Sequence, residues 1–453
     1  MDIKFKQNNL RMPYNMDIVI KNALLVTVDE ERRVLKDHSI AIENGGIVEI
    51  SNNIVGETEI KIDGKGKLVM PGLVNAHTHL AMTLFRGTAD DVPLMKWLQE
   101  EIWPIENNLN GENVRAGSLL GILEMIKSGT TCFNDMYWHL DEVARCVEES
   151  GIRAVLSTPL LDVMGPEQGQ KLLKEGEESI KRYRSSERIV PFFGPHAPYT
   201  CSEELLLETK DLAEKHQTGM HIHVAETEEE VENSKKDKGA RPFEYLDRIG
   251  FLDEDVIAAH SVWVSKTEMD IIKNRKTKVC HNPISNMKLG SGVAPVPEFL
   301  EKGITVSLGT DGAASNNNLD MFEDMKVCAL LHKVHNSNAS LVPALNALEL
   351  ATINGARALG LEDKIGSIEV GKRADVLMLD LQGSAMVPMT NPVSHLVYSV
   401  QGGNVETVIV DGKILMEDRQ MRTLDENQVI EFAREQAKDL FERSGKKDHL
   451  LGV

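Results

Sequence analysis

Long apolar runs are missing from this 453-residue chain. A helix that crosses a bilayer needs about 18–20 consecutive apolar residues, and no run approaches that, which argues against a membrane protein. Basic charge is also in short supply. Lys plus Arg total 50 against 70 for Asp plus Glu, a formal charge of −20, whereas a nucleic-acid binder needs a basic face. Cysteine is scarce. Cys132, Cys146, Cys201, Cys280 and Cys328 form no CxxC pair, which excludes the common redox and thiolate-zinc motifs, and the odd count fits a reducing, cytoplasmic setting. No GxGxxG follows a strand-like run, so the main signal for a dinucleotide-binding, doubly wound sheet is absent. The opening residues MDIKFKQNNLRMPYN lack the apolar core of a secretory signal, and Met16 is an alternative start to Met1.

What is present reads as a folded protein with 42% hydrophobic and 26% charged residues. DIVIKNALLVTVD, HSIAIENGGIVEI and EIKID are short strand-like runs, with a hairpin expected at Gly45–Gly46. The same texture returns in ADVLMLDL and ETVIVDGKILM, so the two chain ends are expected to complete one small β-sandwich. A charged helix is expected from about Glu426 to Ser444. Between them, eight apolar runs alternate with amphipathic helices: LVMPGLVNA, TTCFND, IRAVLST, IVPFFG, GMHIHVA, VIAAH, TKVCH and ITVSLGT. Eight β-α units predict an α/β protein built on a (β/α)8 TIM barrel. The expected division is 1–67 for the first part of the sandwich, 68–365 for the barrel, and 366–453 for the second part with the terminal helix.

Polar residues cluster where these runs end, the face on which barrel enzymes carry their sites. His77 and His79 close the first run, His221 and His223 the fifth, His260 the sixth, and Asp311 the eighth. Residues i and i+2 of a strand share a side, so each HxH pair can aim at one point. Singly, each has a plain alternative as a strand-capping histidine or a turn aspartate. Collectively they supply imidazoles and a carboxylate suited to Zn²⁺, with Fe²⁺ as the other choice.

These residues carry a resemblance. MPGLVNAHTHLAMTLFRGTADDVPLMKWLQEEIWPIE, GTTCFNDMY, GPHAPYTCS, HIHVAET, CHNPISNMKLGSGVAPV, SLGTDGAASNNNLDMFEDMK and KRADVLMLDL resemble the amidohydrolase superfamily. Within it they are similar to the 5'-methylthioadenosine/S-adenosylhomocysteine deaminases, including 5'-deoxyadenosine deaminases. The resemblance implies His77, His79, His223 and Asp311 as ligands of one divalent ion, with His221 a core histidine beneath them. IVPFFGPHAP has no lysine to bridge a second metal. It implies hydrolytic deamination at C6 of an adenine ring, with a metal-activated water. Glu226 would carry a proton to N1, His260 would orient the attacking group, and Asp311 would take the second proton for departing ammonia. The alternative for Glu226 is the solvated start of the acidic helix in ETEEEVE.

The resemblance also implies that Glu106, in IWPIE, accepts from the ribose hydroxyls, and that His196 contacts ribose or purine N3. Trp97 and Trp103 are candidates for the wall of the 5'-substituent pocket or for core. A homocysteine tail needs a cation for its carboxylate. Residues 154–181 hold no arginine, and Lys171 and Lys174 read as surface residues. Leu160, Leu161, Val163 and Met164 suit a methyl or methylthio end instead. The partners implied are a small-molecule nucleoside and further copies of the chain, as a dimer or tetramer. Two rival readings are an aminohydrolase or chlorohydrolase of another purine, pyrimidine or triazine, and a non-catalytic scaffold of the same fold.

Overall fold

The structure, a computed structural model, describes residues 15–450. The expectations about residues 1–14 lie outside that range. Among the described residues, eight parallel strands follow one another around a barrel in chain order. They are Leu73–Thr78, Thr130–Met136, Arg153–Leu160, Ile189–Pro195, Met220–Val224, Val256–His260, Lys278–His281 and Val306–Leu308. All eight predicted runs are therefore strands. They are buried on both faces, which is why they read as short continuous apolar runs rather than alternating ones. Val74, Ala76, Cys132, Val155, Ile257 and Cys280 meet inside the barrel. Leu73, Phe133, Leu156, Phe193, Ala258 and Val279 join the core shared with the surrounding helices.

The first and eighth strands meet at a seam held largely by side chains. The Asn75 amide donates to Thr310 Oγ1 at 2.7 Å, and its carbonyl accepts the Thr310 N–H at 3.0 Å. The Asp311 N–H then donates to the His77 carbonyl at 3.0 Å. A side chain at Gly309 would lie 2.8 Å from His77 Cβ and 2.7 Å from Asn282 Oδ1, so only glycine lets the strands close here.

The run LVMPGLVNA, predicted as one strand, is two. Lys67–Pro71 belongs to a separate nine-stranded mixed sheet, and the chain enters the barrel only after Gly72. Lys67–Pro71 pairs antiparallel with Val376–Asp380 and parallel with Asn15–Val26, so strands from both chain ends share one hydrogen-bonded path. The hairpin near Gly45 joins Val34–Glu43 to Gly46–Ser51 through Asn44 and Gly45, at φ 50° and 74°, the left-handed pair that an Asn-Gly hairpin turn requires. Helix Glu426–Arg443 lays Val429, Ala433, Leu440 and Phe441 onto the core and its charges outward.

Arg153 opens the third barrel strand, at the end opposite the histidines. Its guanidinium grips Asp375 with Nε at 2.9 Å and Nη2 at 3.2 Å, just ahead of the small-sheet strand Val376–Asp380. It fastens the sheet to the floor of the barrel.

Candidate active site

Strand ends bring the predicted residues together. His79 Nε2 lies 3.3 Å from His223 Nε2, and Asp311 Oδ1 lies 3.4 Å from His77 Nε2 and 3.5 Å from His79 Nε2. His77, His79 and Asp311 present ligand atoms within 4.8 Å of one another, and so do His77, His223 and His260. All are buried except His79, which is partly exposed.

The surrounding backbone fixes which nitrogen faces inward. His79 Nδ1 is 2.8 Å from the Met136 carbonyl, and His223 Nδ1 is 2.6 Å from the His196 carbonyl. A carbonyl only accepts, so each Nδ1 carries the proton and each Nε2 keeps a lone pair for the centre. His77 Nδ1 is 2.8 Å from His221 Nε2. His221, expected as a core residue, is fully buried and braces His77 from below.

This set fits a divalent cation. His77 Nε2 is buried without a hydrogen-bond partner, although it faces the other donors. Burial, opposed in part by Asp311, brings the His77 imidazole down to about 4, so it is neutral, the form that ligates. Burial alone would raise the Asp311 carboxyl, but the His77 imidazole beside it, with His79 and His260, holds it well below the usual range. Ser285 and Ser315 donate to Asp311 Oδ2 at 2.6 and 2.9 Å, which orients the carboxylate with Oδ1 inward.

Glu226 and His260 stand on one side of this centre. Glu226 Oε2 is 3.8 Å from His260 Nε2, and Oε1 accepts from Ser291 Oγ at 3.1 Å. His260 Nδ1 is 2.9 Å from Asn286 Oδ1, which leaves Nε2 facing Glu226. Burial is the main influence on Glu226 and raises its carboxyl above the ordinary value. Burial pulls His260 down, yet the Glu226 and Asp311 carboxylates and Asn286 raise it overall.

Three turns at the strand ends take left-handed backbone at residues that ordinarily avoid it: Ala225 at φ 55°, His260 at 68° and Asp311 at 64°. Such conformations cost about 1–3 kcal/mol each and persist where surroundings enforce them. Glu230 enforces the first, its carboxylate accepting the Ala225 and Glu226 N–H groups at 2.7 and 2.8 Å. The alternative reading of Glu226 treats this acidic run as a solvated helix start. Glu230 is in fact buried.

At the mouth, Glu106 ends the short helix Trp103–Glu106 and accepts from the Tyr137 hydroxyl at 2.7 Å. Burial raises its carboxyl. Tyr137 was missed in the sequence, though it sits just beyond the second barrel strand. His196 follows the fourth strand and packs its ring 4.9 Å from that of His223, with Nδ1 2.9 Å from Thr200 Oγ1. Trp97 is core, at 4% exposure, and only Trp103 reaches the surface. Leu160 is buried, Leu161 partly so, while Val163 and Met164 stand exposed in the loop after the third strand. Arg86 secures the loop after the eighth strand, and Asp90 the short helix Pro283–Lys288 after the seventh. Arg86 bonds Glu124 and the Asn317 carbonyl, and Asp90 pairs with Lys288 at 2.6 Å.

Known proteins are similar to this chain along nearly its whole length. The pattern of the Amidohydrolase family matches residues 68–415. A 5'-deoxyadenosine deaminase of Methanosarcina acetivorans is 50% identical over 430 residues, covering 94% of this chain and 99% of its own length. A 5-methylthioadenosine/S-adenosylhomocysteine deaminase of Thermoanaerobacter pseudethanolicus is 46% identical, covering 94% and 100%. The crystal structure of an adenosine deaminase from Xanthomonas campestris with bound zinc superposes with a TM-score of 0.92 at 35% identity, covering 95% and 100%. Identity this high across both the barrel and the small sheet reflects common descent as well as shared architecture, and the chain belongs to the amidohydrolase family.

Proposed function

We propose that this chain is a metal-dependent hydrolytic deaminase that converts 5'-modified adenosines and water to the inosine analogues and ammonia. The convergence of His77, His79, His223 and Asp311 beside Glu226 and His260 carries the reading. The first four residues would hold one divalent ion, with zinc favoured by three imidazole nitrogens and one carboxylate oxygen and by the zinc-bound relative. Such an ion lowers the pKa of water towards about 7 and so makes a nucleophile available at neutral pH.

The chain's own groups then divide the proton traffic. Glu226, its carboxyl raised above the ordinary value by burial, delivers a proton to ring N1, which makes C6 a better electron acceptor. His260, held by Asn286, aims Nε2 at the attacking oxygen and supports the charge that develops at C6. Asp311, ionised and oriented by two serines, takes the remaining proton and passes it to the departing amine. Glu106, its Oε1 engaged by Tyr137, has Oε2 for the ribose hydroxyls, and His196 lies beside the same mouth.

The 5'-substituent is proposed to be small and apolar, as in 5'-deoxyadenosine or 5'-methylthioadenosine. The support is the arginine-free stretch 154–181, with Leu160 ending the third strand and Leu161, Val163 and Met164 following it. S-adenosylhomocysteine lacks a carboxylate partner there. The same proposal includes a crossing between small domain and barrel at Gly72, in place of 67/68, and a return near 366. It also includes a homo-oligomer in the cytoplasm. Exposed Leu330 and Val334 beside Met287 support self-association. Among the described residues all five cysteines are free, and no helix is long and apolar enough to cross a membrane.

The test is to incubate zinc-loaded protein with 5'-deoxyadenosine, 5'-methylthioadenosine, adenosine and S-adenosylhomocysteine while following the adenine-to-hypoxanthine absorbance change. Turnover of the first two, with S-adenosylhomocysteine weakest in kcat/KM, is expected. A flat trace with all four overturns the nucleoside assignment, and release of ammonia from a free base or triazine instead would favour the rival aminohydrolase.

A further inference from the structure

Outside the active site, one more group of ligating side chains is gathered in the layer between barrel and helices. His281 ends the seventh strand. Cys280 faces the barrel interior and Val279 the outer core, so alternation turns His281 outward. Helix Met321–His335 meets it there with Cys328 and His332, one turn apart on the same face. The three ligand atoms lie within 4.8 Å of one another, and all three residues are fully buried.

The separation of the two imidazoles is informative. His281 Nε2 and His332 Nε2 are 3.3 Å apart, the same distance as His79 Nε2 and His223 Nε2 in the active site. That is longer than the range of about 2.7–3.2 Å for protein N–H···O hydrogen bonds. Two nitrogens on one tetrahedral ion, each at about 2.0–2.1 Å, fall about 3.3 Å apart. The far nitrogens, Nδ1 of both rings, have no partner among the described residues, so the one long contact between the rings is all that satisfies two buried histidines here.

Protonation and charge agree. Burial holds His281 well below the ordinary range and His332 at about 4, so both rings keep a lone pair. Asp324, one turn before Cys328, is fully buried with Oδ1 unpartnered. Burial raises both the Asp324 carboxyl and the Cys328 thiol above their ordinary ranges, a cost that a cation entering beside them offsets.

We propose that His281, Cys328 and His332 form a second, structural site for a thiophilic divalent cation of the zinc class, which clasps helix Met321–His335 to the seventh barrel strand. Binding breaks the Cys328 S–H bond, places the sulfur lone pair on the ion and releases the proton to solvent. The segment after His281 supplies Asn282 and Asn286, both in contact with His260, so the clasp steadies one wall of the active site. The site stands on its own geometry and does not depend on the proposed reaction.

The experiment uses cobalt(II), which takes the same nitrogen and sulfur donors as zinc and reports thiolate ligation by a near-ultraviolet charge-transfer band. Full-length protein is produced in zinc-free medium supplied with cobalt, so that the ion is present while the buried site forms. Metal content and absorption are then measured on the folded protein. The active-site donors include no sulfur, so the band reports this site alone whatever the occupancy of the other. The expected result is a thiolate band in the wild type, with Cys328→Ser losing the band and one equivalent of cobalt. His332→Gln should weaken or abolish the band. No thiolate band in the wild type overturns the proposal even if neither variant folds, and so does a band that survives Cys328→Ser.

Discussion

Arg153→Met tests whether the barrel has a structural floor separate from its chemical mouth. The Arg153 and Asp375 side chains are only 5% and 1% exposed, so solvent cannot screen the pair. Arg153 donates to both Asp375 oxygens, approaches Asp411 Oδ1 at 3.4 Å, and donates from Nη1 to the Glu187 carbonyl at 3.0 Å. Removing it leaves Asp375 Oδ1 with the Asp411 N–H at 2.7 Å but strips Oδ2 of its cation. Breaking one half of a buried pair costs about 3–5 kcal/mol, because the surviving charge stays desolvated. We expect a loss of about that size in urea unfolding followed by fluorescence and far-ultraviolet circular dichroism. Adding Asp375→Asn should restore part of it, since the stranded charge goes while the amide oxygen still accepts the Asp411 N–H. The kcat of the folded fraction should stay within a factor of about two, because the site lies at the other end of the strands. A loss below about 1 kcal/mol would refute the argument from burial, and a collapse in kcat without loss of stability would refute the separation of floor from mouth.

Glu226→Gln should keep its full metal content while kcat falls by about 10²–10⁴, the range for a general acid–base group; a wild-type rate removes the proton shuttle. Glu106→Ala should raise KM for nucleosides about 10–100-fold with a smaller change in kcat, as expected for a contact kept from ground state to transition state, and an unchanged KM sinks that role. Glu230→Gln gives the Ala225–Glu226 turn one acceptor for two N–H donors. Its kcat should fall about 10–100-fold with metal content intact, because a small displacement of Glu226 is enough. Full activity would show that the turn holds without it.

Much of this protein was legible in one dimension, because the barrel repeats a local rule. A short buried strand needs a short apolar run, a surrounding helix needs a stripe, and a site at the strand ends needs polar residues just after each run. That is why His77, His79, His223, His260 and Asp311 could be picked out together, and why the small domain could be assigned to both chain ends. Tertiary structure decided what depends on distant partners. Nothing local separates Lys67–Pro71 from the strand that follows, since both are apolar; pairing with Val376–Asp380 places it in the other sheet. Nothing local distinguishes Glu230 from the solvated acids around it, nor shows that Trp97 is core, that His221 braces His77, or that His281 meets Cys328 and His332. Residue type and spacing fix what a side chain is able to do, but burial, partners and the nitrogen it presents are set by elements far away in the sequence.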